Sequence, residues 1–153
     1  MAETGEMAPD FTVETAEGPK RLADFAGRKL VVYFYPKDDT PGCTKEAIAF
    51  TGLAPAFAAA DTVVLGVSKD SLASHEKFAA KHKLGVLLGS DPEGRMIEAF
   101  GAWVEKSMYG KSYMGIDRST FLIGRDGRIA EIWRKVKVPG HAEAVLAAAE
   151  ALA

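Results

Sequence analysis

The chain has 153 residues, of which 48% are hydrophobic, so it is long enough for one domain that buries about two thirds of its unfolded surface. Its 19 basic and 21 acidic residues give a net charge of -2, which favours neither nucleic acid nor an anionic membrane surface as a partner. The sequence has no apolar window of about 18 residues, residues 1–10 are acidic, and a single cysteine excludes an internal disulfide, so a cytoplasmic location is expected.

The first half of the chain alternates predicted strands and helices. Residues 11–13 and 20–21 flank a Gly-Pro turn and are expected to pair as a small N-terminal hairpin. The β-branched and aromatic run at residues 30–35 is typical of a central strand that is buried on both faces. A helix is predicted for residues 43–60, kinked or ended at Pro55 because proline lacks a backbone donor.

The second half continues this alternation and closes with a hairpin and a helix. In chain order we predict a strand at residues 62–67, a helix from residue 70 or 71 to 82, a strand at 86–88, a helix at 94–100, an irregular loop at 103–117, strands from 119 and at 129–136, and a helix at 141–152. The order is that of an α/β thioredoxin-like fold, with a central mixed sheet flanked by helices. Without a linker or repeat, residues 1–153 are predicted to form a single domain.

Cys43 ends the run YPKDDTPGC, which lies between the predicted central strand and the helix that follows it. Thr40 is a favourable N-cap residue and Pro41 suits the first helical position, so Cys43 falls in the first turn. Free N–H groups and the positive end of the helix dipole stabilise an anion there. The pattern therefore indicates a reactive thiolate, although a lone cysteine is also compatible with an inert core residue.

Residues 36–43 match the pattern P-x-x-x-T-x-x-C, and RSTFLI at 118–123 matches a second element of the same family. Further agreement comes from TKEA at 44–47, YGKSYMG at 109–115 and GHA at 140–142. Over nearly its whole length the chain resembles a peroxiredoxin of the bacterioferritin comigratory protein or peroxiredoxin Q group.

One position departs from many members of that group, which carry a resolving cysteine five residues after the first. Here that position is Ile48, so the resemblance implies a 1-Cys type. A β-branched apolar side chain at this position is expected to anchor the helix and keep it folded through the reaction.

The resemblance implies roles for five residues. Cys43 is the nucleophile, Thr40 offers its hydroxyl to peroxide and thiolate, Arg118 stabilises the thiolate and holds a peroxide oxygen, Pro36 shields the pocket from water, and Glu46 orients Arg118. From the residues alone, Thr40 is equally an N-cap and Pro36 a strand terminator. Arg118 alone is compatible with an ordinary surface charge, and Glu46 with one end of a helical ion pair.

Ionisation of the thiol cannot by itself explain a fast reaction. A thiol with a pKa of about 8.5 is about 3% ionised at pH 7, so full ionisation gains at most about 30-fold in rate, or roughly 2 kcal/mol. A lower pKa also reduces the nucleophilicity of sulfur. A larger contribution must come from stabilising the negative charge that sulfur and the two oxygens share in the transition state.

The favoured function is a thiol-dependent peroxidase that reduces hydrogen peroxide and alkyl hydroperoxides through a Cys43 sulfenic acid. An external thiol is needed to resolve it: a thioredoxin, a glutaredoxin, a low-molecular-weight thiol or Cys43 of a second subunit. We expect no cofactor, metal, nucleic-acid partner or membrane partner, and a monomer or weak homodimer.

The alternative is a redox-sensing interaction protein that uses Cys43 oxidation as a switch. Thioredoxin-type disulfide exchange is disfavoured because the C-x-x-C pair is missing.

The remaining polar residues are predicted to be solvated. His75, His82 and His141 lack metal-ligand spacing and are expected on helix surfaces. Asp38 and Asp39 would place negative charge near the thiolate, so their side chains are expected to face solvent.

Overall fold

A computed structural model describes residues 2–153. Within that range the strands are β1 (Thr12–Thr15), β2 (Gly18–Arg21), β3 (Lys29–Phe34), β4 (Thr62–Ser68), β5 (Leu87–Ser90), β6 (Trp103–Met108), β7 (Lys111–Ile116), β8 (Ser119–Ile123) and β9 (Ile129–Trp133). The helices are α1 (Pro41–Gly52), α2 (Ala54–Ala59), α3 (Leu72–His82), α4 (Arg95–Ala99) and α5 (His141–Ala151), with a 3₁₀ helix at Leu22–Phe25.

Seven strands form one mixed sheet in the order β2-β1-β5-β4-β3-β8-β9. β3 pairs in parallel with β4 and antiparallel with β8, and β4 pairs in parallel with β5. β1 and β2 pair antiparallel as the predicted N-terminal hairpin. The central mixed sheet and this hairpin confirm the predicted thioredoxin-like architecture.

β3 is buried along its whole length, and its alternate side chains enter two different apolar clusters. Val32 and Phe34 face one cluster, which contains the N-terminal segment and α4. Val31 and Tyr33 face the other cluster, in which α1, α2, α3 and α5 cover the sheet. The continuous apolar run at residues 30–35 is thus explained by a strand with helices or loops on both of its faces.

α1 packs on the second of these faces, because the residues that it buries recur at helical spacing. Its buried residues are Cys43, Glu46, Ala47 and Phe50, which share one side of the helix. The predicted interruption by proline is also observed, since α1 ends at Gly52 and Pro55 lies in the first turn of α2. Ile48, in contrast, is 48% exposed, so the expectation that it anchors the helix was wrong.

The predicted irregular loop at residues 103–117 is wrong, because β6 and β7 form an antiparallel hairpin there. The two turn residues, Tyr109 and Gly110, have φ angles of 52° and 77°. Positive φ at both central positions is typical of a type I′ turn, for which Asn-Gly is the usual sequence. A Tyr-Gly turn gives a weaker signal, and most β7 side chains are exposed, so no alternating burial pattern marked the strand.

Three polar residues that were expected at the surface are buried instead. The exposed fractions of Asp38, His75 and His141 are 7%, 4% and 7%. Each of them has a polar partner in the structure, which is the condition under which burial of such groups is tolerated. Asp39 is exposed as predicted, and His82 is partly buried.

The helices are short, and a buried lysine fastens the last of them to the sheet. Lys29 Nζ at the start of β3 donates hydrogen bonds to the carbonyls of Ala149 and Leu152 at 2.6 and 2.9 Å. Ala149 lies in the last turn of α5 and Leu152 directly follows the helix, where carbonyls have no N–H partner within the helix. Among residues 2–153, no helix has both the length and the apolar character needed for a membrane span.

Candidate active site

The loop between β3 and α1 places Cys43 at the start of the helix. α1 begins at Pro41 with Thr40 at the N-cap position, so Cys43 is the third helical residue, as predicted. The Thr40 side chain accepts no hydrogen bond from the helix, and its Oγ1 donates to the carbonyl of Lys37 at 2.8 Å. The first N–H groups of α1 are therefore not satisfied by that hydroxyl, and the positive end of the helix dipole lies at the turn that carries Cys43.

Arg118 joins Cys43 to Glu46 through two different nitrogens of one guanidinium. Its Nη2 lies 3.3 Å from Cys43 Sγ, and its Nη1 donates to Glu46 Oε1 at 2.7 Å. The sheet brings Arg118 there, since Ser119 at the start of β8 pairs with Phe34 at the end of β3. Arg118 consequently lies beside the loop that leads to the helix.

Burial sets the charges of this cluster. Cys43 and Glu46 are each 1% exposed. Burial raises the pKa of Glu46 to about 7, although the charge and the hydrogen bond of Arg118 oppose the shift. Burial also disfavours the guanidinium, but Glu46 and Cys43 outweigh that effect and raise the pKa of Arg118 above its ordinary value. Arg118 therefore supplies the fixed positive charge of the site.

Two further buried groups lie near this cluster without adding charge. Tyr33 stacks on Phe50 with a 4.7 Å separation of ring centroids, and burial followed by the charge of Glu46 raises its pKa well above the ordinary value. Burial, with a smaller effect from Arg118, lowers the pKa of His141 to about 4. His141 Nε2 lies 2.7 Å from Thr120 Oγ1. Both side chains are therefore neutral at pH 7.

The structure brings together three of the five residues singled out in the sequence. Cys43, Arg118 and Glu46 are in direct contact, whereas Thr40 is partly buried at the N-cap position and Pro36 is exposed in the preceding loop. The shielding role of Pro36 stays a prediction. In the part of the chain that the structure describes, no cluster of three or more His, Cys, Asp or Glu side chains is arranged to hold a metal ion.

Comparison with known proteins places this geometry in a family. The model of the AhpC/TSA family matches residues 4–132. The chain belongs to this family.

A Bacillus subtilis protein, peroxiredoxin Bcp, is 49% identical over 140 residues, which cover 91% of this chain and 89% of the relative. A Coxiella burnetii protein, a putative peroxiredoxin bcp, is 48% identical over 145 residues, covering 94% and 96%. The chain is therefore a peroxiredoxin of the Bcp or peroxiredoxin Q group and a thiol-dependent peroxidase.

Solved structures agree with that assignment. The Xanthomonas campestris bacterioferritin comigratory protein, studied for its alkyl peroxide reduction activity, superposes with a TM-score of 0.88 at 47% identity, covering 92% of this chain and 90% of the other. Two further structures of the peroxiredoxin Q of that organism, with the same TM-score, carry serine in place of one or the other of two cysteines. The present peroxiredoxin has only Cys43.

Sequence reasoning missed a residue on which the geometry of this peroxiredoxin depends. A Cβ atom at Gly42 would lie 3.1 Å from Arg118 Nη2, which is closer than an ordinary van der Waals contact. The absence of a side chain at Gly42 thus gives the guanidinium room to reach the sulfur. A signal existed in the sequence, since glycine is unfavourable in a helix and needs a reason there.

We expect Gly42→Ala to change activity and stability in opposite directions. Displacement of Arg118 by a few tenths of an ångström should lower the second-order rate constant with peroxide about tenfold, equivalent to about 1.4 kcal/mol. The loss of backbone freedom in the unfolded chain should raise the free energy of unfolding by about 0.5 kcal/mol. Stopped-flow kinetics and urea denaturation measure the two effects.

The matched control is Gly52→Ala at the other end of α1, where an added Cβ meets nothing within 4 Å. This variant should gain similar stability and react with peroxide at the rate of the unmodified protein. Equal rates for the Gly42 and Gly52 variants would contradict the role of Gly42.

The raised pKa of Glu46 predicts a stability that depends on pH. Folding lifts this pKa from 4.5 to about 7, so between these values the folded state holds a proton that the unfolded state releases. The contribution of Glu46 is therefore present at low pH and lost as pH rises through about 7, with a slope of at most about 1.4 kcal/mol per pH unit. Glu46→Gln removes this slope.

Urea denaturation of Glu46→Gln and the unmodified protein at pH 4 to 8 tests this expectation. The difference in unfolding free energy, variant minus unmodified protein, should increase with pH across that interval. Glu76→Gln, the same substitution at an exposed position of α3, should give a difference that does not vary with pH. Parallel curves for the Glu46 variant would refute the assignment.

Proposed function

We propose that the Cys43 thiolate attacks the terminal oxygen of hydrogen peroxide or an alkyl hydroperoxide. A sulfur–oxygen bond forms as the oxygen–oxygen bond breaks, and the departing oxygen leaves as water or an alcohol after taking a proton. Sulfur is oxidised to the sulfenic acid and the peroxide is reduced. The observation that carries this proposal is the single guanidinium that contacts Cys43 Sγ at 3.3 Å and is held by Glu46 at 2.7 Å.

In this proposal the donors around the sulfur stabilise the charge that develops in the transition state. Arg118 Nη2 contacts the sulfur, and Cys43 lies in the first turn of α1, where the positive end of the helix dipole favours negative charge. The hydroxyl proton of Thr40 is engaged by the carbonyl of Lys37, so its oxygen lone pairs are available to accept the O–H of a peroxide. Pro36 would limit access of water from the exposed side of the loop.

Resolution of the sulfenic acid would require a thiol from outside the chain, because the sequence has no second cysteine. A first thiol would displace water and form a mixed disulfide with Cys43, and a second thiol would release the Cys43 thiol and leave as a disulfide. We propose a thioredoxin, a glutaredoxin or a low-molecular-weight thiol as the donor, in the reducing cytoplasm. The working unit would be one thioredoxin-like domain, residues 1–153, as a monomer or weak homodimer.

Oxidation with one equivalent of peroxide tests the intermediate. Because no internal thiol competes, we expect a dimedone adduct on Cys43, and with excess peroxide a sulfinic acid, both detected by mass spectrometry. Prompt and complete conversion to a disulfide-linked dimer would instead make Cys43 of a second copy the resolving thiol.

Turnover separates this proposal from the redox-sensing alternative. Peroxide consumption is measured with a panel that contains a thioredoxin, a glutaredoxin and a low-molecular-weight thiol, each with its recycling system. Sustained consumption with at least one donor is expected. A single stoichiometric reaction with every donor would support the sensor.

A further inference from the structure

A buried polar cluster connects the loop before α1 to α3. It consists of Tyr35, Asp38, Ser74 and His75, together with the carbonyl of Gly89 in β5. Asp38 Oδ2 lies 2.7 Å from His75 Nδ1 and accepts a hydrogen bond from Ser74 Oγ at 2.8 Å. Asp38 Oδ1 accepts a hydrogen bond from Tyr35 Oη at 2.5 Å. Both carboxylate oxygens of Asp38 are thus engaged.

Both ring nitrogens of His75 have a polar partner in this cluster. Its Nδ1 faces the Asp38 carboxylate, and its Nε2 lies 2.9 Å from the carbonyl oxygen of Gly89. The carboxylate and the carbonyl are both hydrogen-bond acceptors. The hydroxyl of Tyr35, 3.4 Å from Nδ1, donates to Asp38. The His75 ring is thus held on opposite sides by the Asp38 carboxylate and the Gly89 carbonyl.

Hydrogen bonds fix the Asp38 carboxylate as well as the His75 ring. Burial opposes ionisation of Asp38, but hydrogen bonds from His75, Tyr35 and Ser74 outweigh it and hold the pKa of Asp38 below its ordinary value. The backbone N–H of Asp38 also donates to Asp70 Oδ2 at 2.9 Å. Main chain and side chain of this residue are consequently both held in place.

A buried pair of this kind is not explained by stability alone. Desolvation of buried charged and polar groups offsets most of their attraction, and apolar residues of similar volume are often as stabilising or more so. What a fully bonded pair adds is a fixed geometry. The position of Asp38 in the chain indicates what is fixed, because the neighbouring Lys37 carbonyl accepts the hydroxyl proton of Thr40.

Asp39, the next residue, also attaches the loop to α3. Asp39 has a φ angle of 59°, in the left-handed region that is unfavourable for residues other than glycine. Its carboxylate is bound by Lys81 Nζ at 2.7 Å and His82 Nε2 at 2.9 Å, both from α3. The two consecutive aspartates that precede Thr40 therefore tie the loop to one helix.

We propose that Asp38 and His75 are positioning residues for the peroxidase, which hold the Lys37 carbonyl and the Thr40 hydroxyl where that hydroxyl meets the peroxide. The inference rests on the role of Thr40 given under Proposed function. On this inference, Asp38 and His75 affect the reaction with peroxide and leave the nucleophilicity of Cys43 unchanged. Arg118 contacts the sulfur from the position before β8 and not from this loop.

Two reactions of Cys43 separate positioning from a general effect. Alkylation by iodoacetamide needs the thiolate and access to it but not the Thr40 hydroxyl, whereas reduction of peroxide also needs that hydroxyl. His75→Gln keeps a polar side chain but has both its N–H groups on one nitrogen, so it cannot donate to Asp38 and Gly89 from opposite sides. We expect about a tenfold lower rate constant with hydrogen peroxide and an unchanged rate of alkylation.

The control is Glu76→Gln, the same amide at the neighbouring exposed position, which should leave both rates unchanged. A double variant tests the route of the effect. If His75 acts through Thr40, His75→Gln combined with Thr40→Val should react with peroxide no more slowly than Thr40→Val alone. If His75→Gln does not fold, Ser74→Ala, which removes one hydrogen bond to Asp38, gives the same comparison with a smaller loss of about threefold.

The outcomes are distinct. Equal loss of both rates in His75→Gln, or multiplicative losses in the double variant, would overturn the positioning role. A parental peroxide rate in His75→Gln with a slow Thr40→Val would overturn this inference and leave the proposed function intact. A parental rate in Thr40→Val would remove both the role of Thr40 and the inference built on it.

Discussion

Replacing Cys43 with serine is expected to reduce peroxide consumption to the rate of buffer with every thiol donor. Serine is nearly isosteric with cysteine, but its hydroxyl is far too basic to ionise near pH 7, so the nucleophile is lost. The position is buried, with 1% exposure, on the face of α1 that packs against β3, so the free energy of unfolding should fall by no more than about 2 kcal/mol. Peroxide assays measure the activity, and urea denaturation followed by far-UV circular dichroism measures the free energy of unfolding.

The control for this variant is the unmodified protein after alkylation of Cys43, which removes the same nucleophile without a change of sequence. Both preparations should be inactive and folded. Turnover by the serine variant above the level of the alkylated protein would show that the reaction does not use Cys43.

Arg118→Lys is expected to lower the rate constant with peroxide by about 10²-fold or more, the range observed when one donor to a developing charge is removed. The guanidinium contacts Glu46 and Cys43 with separate nitrogens at 2.7 and 3.3 Å, and a lysine has one nitrogen for both partners. Stopped-flow measurement of the oxidation of Cys43 tests this directly, because it does not depend on the thiol donor.

Arg134→Lys provides the matched control. Arg134 is exposed, donates to the carbonyls of Gly101 and Ala2, and packs over the ring of Phe121 away from the sulfur. Its replacement should leave the rate with peroxide unchanged. If Arg118→Lys also reacts at the unmodified rate, Arg118 stabilises the fold and is not part of the reaction.

The local sequence around Cys43 was sufficient to predict its place in the structure. Thr40 and Pro41 mark the start of a helix, the run at residues 30–35 marks the strand before it, and Pro55 marks its end. These signals act over a few residues of chain and do not depend on tertiary contacts. Arg118 could be linked to Cys43 only through family resemblance, since the two residues are 75 positions apart in the sequence and meet through the pairing of β3 with β8.

The errors have the same physical origin. Asp38 and His75 each appear as ordinary polar residues, and they become buried because they satisfy one another across 37 positions of chain. No local pattern reports such a partner. The second hairpin was missed because a Tyr-Gly turn takes the conformation that Asn-Gly usually marks, and because Tyr109 at its tip is 97% exposed.

The interruption between α1 and α2 limits how far a local opening of the structure can spread. Cys43 is 1% exposed in the first turn of α1, so any local opening that exposes its sulfur more widely begins in this helix. Helices open cooperatively along an unbroken ladder of hydrogen bonds, but this ladder is broken where Pro55 lacks an N–H group. The cooperative unit of unwinding therefore spans the 12 residues of α1, while α2 keeps Phe57 in the core. A local opening that exposes the sulfur of this peroxiredoxin thus involves one short segment and not the whole helical layer.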